Sequence, residues 1–131
     1  MSDPTNPAIV ISVDLKKYRI RIHKSTLHLL GDPRYIQLLI NPETMSVAIR
    51  AVEKRRSGDQ TSVVDQRMMN SDNSIELYSR SLVEKIREIV PDLDDGFSYR
   101  ITGDIIPAQK VAVFALKTLC PIEASRGAVH G

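Results

Sequence analysis

Lysine and arginine crowd the front of this chain in a pattern that could hold an anion. Lys16, Lys17, Arg19, Arg21 and Lys24 fall within nine positions, and Arg50, Lys54, Arg55 and Arg56 follow. Cations so placed can neutralise phosphates and release their counterions, which is the physical basis of nucleic-acid backbone binding. The stretch Tyr18-Arg19-Ile20-Arg21-Ile22-His23-Lys24 alternates apolar and basic residues. Period-two alternation belongs to a strand with one face on a core and the other in water. Ile20 and Ile22 are therefore expected to point inward, with Arg19, Arg21 and His23 outward. Lysine and arginine on strands also have a purely structural use, because they discourage edge-to-edge aggregation.

Other chemistries find little support. His23 and His28 are five apart, share no helical face, and have only His130 and no cysteine pair to complete a zinc site. Asp92-Leu93-Asp94-Asp95-Gly96 has the flavour of a calcium loop, but its Gly stands fifth and its twelfth residue is Gly103, where that loop needs a sixth-position Gly and a bidentate Glu. Glu84 and Glu88 lie one helical turn apart without a supporting histidine. Cys120 abuts Pro121, with no feature in the sequence to mark it as a nucleophile. No serine sits in a nucleophile elbow, and no phosphate loop or dinucleotide fingerprint is present. The residues thus predict neither an enzyme nor a cofactor.

The elements that must position the cations are readable. Ala8–Val13 is a β-prone run, and Asp14-Leu15-Lys16-Lys17 turns it into the Tyr18–His23 strand. Ser25 is a plausible N-cap for a short helix through Leu30, which Gly31 ends and Pro33 keeps from resuming. Tyr35–Ile40 and Met45–Val52 form a hairpin around Asn41-Pro42-Glu43-Thr44. The polar stretch 53–73 reads as a flexible linker. Asn73 with Glu76 three residues on is a capping-box pattern, and Ile75, Tyr78, Leu82, Ile86 and Ile89 recur at helical spacing. One amphipathic helix is expected at about 74–90. Phe97–Ile106 and Lys110–Leu119 should make a last hairpin. The expected order is β-β-α-β-β, then α-β-β: an α+β chain with a mainly antiparallel sheet.

This order divides the chain into a β-rich unit at 8–52, the linker at 53–73, and a helix-plus-hairpin unit at 74–119 packing on the first. Residues 1–7 and 120–131 are expected to be mobile tails. A chain of 131 residues with 42% apolar content can bury a core without metal or disulfide. Its one cysteine rules out an intrachain disulfide. The front is basic, with ten Lys and Arg against six Asp and Glu in residues 1–60, while residues 61–131 carry eight against ten. That asymmetry suits either an anionic partner or two halves that attract each other. The N-terminal sequence lacks the pattern of a signal peptide, and no apolar run reaches membrane-spanning length, so a cytoplasmic protein without membrane contact is expected.

Val13-Asp14, Ile20-Arg21-Ile22-His23-Lys24, Leu27 and Leu30-Gly31, followed by the Tyr35–Val52 hairpin, resemble the AbrB/SpoVT-type swapped-hairpin family. The resemblance covers about residues 9–52. It implies a homodimer of interleaved strands that contacts double-stranded DNA. On the positions that match, Lys16, Lys17, Arg19, Arg21 and Lys24 would then meet phosphates; apart from the resemblance, the basic loop Lys54, Arg55 and Arg56 is a further candidate for the phosphate backbone. The chain lacks the Gly that this family carries in its first turn. The expectation is a small dimeric DNA-binding regulator. The alternative is a protein- or self-interaction module that binds no nucleic acid.

Overall fold

The computed structural model describes residues 9–54, 61–64, 69 and 72–122. Nine strands and two α-helices are present among them: β1 (Ile9–Asp14), β2 (Arg19–His23), α1 (Lys24–Leu29), β3 (Tyr35–Asn41), β4 (Ser46–Val52), β5 (Thr61–Val63), β6 (Ser74–Tyr78), α2 (Arg80–Ile89), β7 (Ser98–Ile106), β8 (Val111–Ala115) and β9 (Cys120–Pro121). All strands belong to one antiparallel sheet in the order β5-β3-β4-β8-β7-β1-β2-β6, with β9 also against β7. The protein is therefore α+β with a mainly antiparallel sheet, as its residue pattern predicts.

Alternation explains the core. Registers Ile11↔Ile22, Val13↔Ile20, Ile11↔Ile101, Ile20↔Leu77, Leu38↔Ile49 and Val47↔Phe114 place apolar residues opposite one another on one face. Nearly all these side chains are fully buried. Each large aliphatic removed from water contributes about 1.5–3 kcal/mol. Leu27 and Leu30 around α1, and Leu82, Val83 and Ile86 on α2, join the same cluster. Helix α2 follows β6 directly and also contacts β3. The sheet therefore curls, and α2 packs between strands near its two ends.

Strand β7 is the spine. It pairs with β1 along one edge, and with β8 and then β9 along the other. The step from β8 to β9 is bridged by Thr118, whose Oγ1 accepts from the Thr102 amide at 2.8 Å and donates to the Ala115 carbonyl at 2.7 Å. Gly103 faces inward beneath Phe114. A Cβ there would stand 2.1 Å from the Val113 carbonyl oxygen and 2.7 Å from the Phe114 ring, so only glycine fits.

Local details depart from the sequence reading in four places. Residues 74–78 are strand, not helix: Ser79 is the N-cap of α2, and its side chain accepts from the Leu82 amide. Ile75 and Leu77 are the inward pair of an alternating run, and the helical spacing through Tyr78 was coincidental. Helix α1 starts at Lys24, with His23 rather than Ser25 as N-cap. The Lys24 amide is satisfied by the Asn73 carbonyl at 2.8 Å. Within the stretch read as linker, β5 pairs with β3, and beyond residue 119, β9 pairs with β7. By contrast, the helix stop is as expected: Gly31 has φ +92°, and the Asp32 amide reaches back to the Leu27 carbonyl.

Candidate interaction surface

The first turn is built by Asp14. Its Oδ1 accepts from the Lys16 and Lys17 amides, both at 3.1 Å. The chain then leaves the turn through Tyr18 at φ 55°, the left-handed position for which glycine is the easiest residue. Tyr18 packs against the core, and the Arg80 guanidinium lies over its ring at 5.2 Å. That contact is of the cation–π kind.

The outer faces of β2 and its neighbours carry the arginines, each matched to carboxylates. Arg19 bonds Asp14 at 3.2 Å and Glu76 at 3.5 Å. Arg21 bonds Glu76 at 2.7 Å and Asp72 at 3.4 Å. The register causes this, because Asp14↔Arg19 and Arg21↔Glu76 are direct cross-strand partners. The side chains remain 25% and 43% exposed, so each pair is worth little in stability. What the network sets is charge: this face is alternating rather than positive. Partial burial would raise the Asp14 carboxyl, but the Lys17 amide, Arg19 and the Lys16 amide together hold it below its ordinary value. The Ser74 hydroxyl, and less strongly Arg21, hold the Asp72 carboxyl low against partial desolvation.

The remaining cations are spread. Lys16 and Lys17 are exposed at the β1–β2 turn, beside the start of β7. Lys24 follows β2 toward the opposite end of the sheet, and Lys54 follows β4, which has three strands between it and β2. Arg50 is on the outer face of β4 and donates to Gln37 on β3. Because β2 and β4 are not neighbours, no strand register sets the cations of β2 beside those of β4. Arg55 and Arg56 lie outside the described residues.

The outer face of β3, β4 and β8 differs in kind. Registers Leu39↔Ala48↔Val113 and Ser46↔Ala115 line up small and apolar residues across three strands. Arg50 is the only charged residue among the outward positions of these strands. Leu39 is 37% exposed, and Ile106, across from Val111 on β7, is 39% exposed. The sequence reading missed this surface, because Leu39, Ala48 and Val113 belong to three separate strands and only the register brings them into one row.

Among the described residues, no group of three or more His, Cys, Asp or Glu is arranged to hold a metal ion. No helix there is long and apolar enough to cross a membrane. Comparison with protein-family models, with curated proteins and with solved structures finds no match to this chain.

Proposed function

We propose that this protein is a non-enzymatic interaction module whose partner is a second copy of itself, docked on the outer face of β3, β4 and β8. One observation carries the reading: the outer face of β3, β4 and β8 holds Arg50 as its one charge, bordered by the exposed Asp104 of β7, whereas on β1, β2 and β6 Asp14, Arg19, Arg21 and Glu76 are paired with one another. A two-fold contact requires only one self-complementary patch, and exposed apolar surface of this kind is what such contacts bury. Sedimentation velocity over a wide concentration range tests it. The wild type is expected to shift from monomer to dimer, and Leu39→Glu to remain monomeric with an unchanged melting temperature. A wild type that stays monomeric at millimolar concentration defeats the proposal.

A second reading is kept because Lys16, Lys17 and Lys24 are exposed and make no side-chain ion pair among the described residues. It is that the dimer binds double-stranded DNA through these lysines, as the swapped-hairpin resemblance implies. Filter binding to random duplex DNA decides: Lys16→Ala/Lys17→Ala should reduce the salt slope by about two if both contact phosphates. Absence of wild-type binding at low salt leaves the first reading alone.

A further inference from the structure

We propose that a cleft at one end of the sheet binds a small organic anion with an apolar body. The cleft encloses about 430 Å³, within the range of small-molecule sites. Three segments distant in sequence build it: the α1–β3 connection, the end of β4, and the turn between β7 and β8. Leu30, Ala51 and Val52 supply apolar lining, while Arg34 and Lys110 bring a cation each from two different segments.

Neither cation makes a side-chain hydrogen bond or ion pair among the described residues. This sets them apart from Arg19 and Arg21, which are fully engaged within the fold. Lys110 is also held in an unusual backbone state, with φ 51° and ψ 50°. Glycine or asparagine adopts that conformation more cheaply than lysine. The turn is fixed by the Lys110 amide on the Pro107 carbonyl at 3.1 Å, and by the Ala51 amide on the Lys110 carbonyl at 2.9 Å. The root of the ammonium-bearing side chain is thereby tied to the apolar lining. Glu53 on the rim leaves the site with one net positive charge and offers an acceptor to a ligand hydroxyl or amine. A carboxylate or phosphate on a short aliphatic or aromatic body fits this combination, because the head meets two cations and the body meets Leu30, Ala51 and Val52.

The test uses the full chain carrying Leu39→Glu, which removes the exposed sheet face as a competing apolar site. Anilinonaphthalene sulfonate, itself an anion with an apolar body, serves as the fluorescent probe. It is expected to bind saturably and to be displaced by phenyl phosphate or benzoate, whichever head the site prefers. Inorganic phosphate and benzyl alcohol should displace it far less. Arg34→Gln/Lys110→Asn should weaken probe binding about tenfold or more; asparagine tolerates the left-handed position, so the turn is kept. In a nitrogen–proton correlation spectrum, phenyl phosphate or benzoate should move the Ala51 and Gln109 amides. Equal probe affinity in the double variant, or shifts confined to other amides, overturns the proposal. So does displacement by benzyl alcohol or inorganic phosphate as strong as by the organic anions.

Discussion

The outer surface of one continuous sheet carries two unlike regions. On β1, β2 and β6, cross-strand register puts Asp14 beside Arg19 and Glu76 beside Arg21, so opposite charges meet within the fold. On β3, β4 and β8, the same pleat turns Leu39, Ala48 and Val113 outward. Both regions share one core and one backbone geometry, so their difference lies entirely in which residues occupy the solvent-facing half of each alternation. A row of arginines in the sequence is not a positive surface until the facing strands are known. A bland row of Leu, Ala and Val can be the more available surface.

The largest effect should come from the spine that both regions share. Gly103→Ala drives a methyl group into the Val113 carbonyl and the Phe114 ring, and should cost at least about 3 kcal/mol by urea unfolding. A cost below about 1 kcal/mol would mean that β7 and β8 can part without loss. Next come paired substitutions across the two regions. Leu39→Glu should weaken self-association about tenfold or more in sedimentation, while Tyr78→Glu on the charged region leaves it unchanged. Equal effects would erase the distinction between the faces.

Glu76→Gln sharpens the other side of the comparison by leaving Arg19 and Arg21 short of a carboxylate. The melting temperature should fall by no more than about 5 °C, with the loss shrinking at high salt. Nonspecific duplex DNA affinity at low salt should rise if the carboxylates were masking the arginines. The smallest effect is a pH dependence. Asp14 and Asp72 are held below the ordinary carboxylate value of 3.8. Their stabilisation is fully present above that value and is lost as pH falls through the lowered folded-state values. Asp14→Asn, which keeps an oxygen for the turn amides, should therefore flatten acid unfolding monitored by circular dichroism below about pH 4.

Much of the sheet was legible because alternation in β1, β2 and β4 is unambiguous and Gly31 and Pro33 bound the first helix. Strand β6 was not, because Ile75, Tyr78 and Leu82 satisfy helical spacing as well as Ile75 and Leu77 satisfy strand spacing over so few residues. That ambiguity had a consequence for the site: read as a helix, residues 74–78 gave no reason to place Glu76 opposite Arg21. The Asp14–Arg19 pair, by contrast, follows from the first hairpin alone. The cleft between Arg34 and Lys110 had no local signal, since it unites turns more than fifty residues apart.

The strand order also dictates a sequence of events in folding. The β1–β2 and β3–β4 hairpins never pair with each other; β7 and β8 stand between them. On the ribosome, the early hairpins emerge without the wedge that joins them, and each exposes a bare edge until the last third of the chain is made. A fragment ending near residue 53 should consequently aggregate rather than fold, and the full chain should fold slowly for its size, as long-range closure demands.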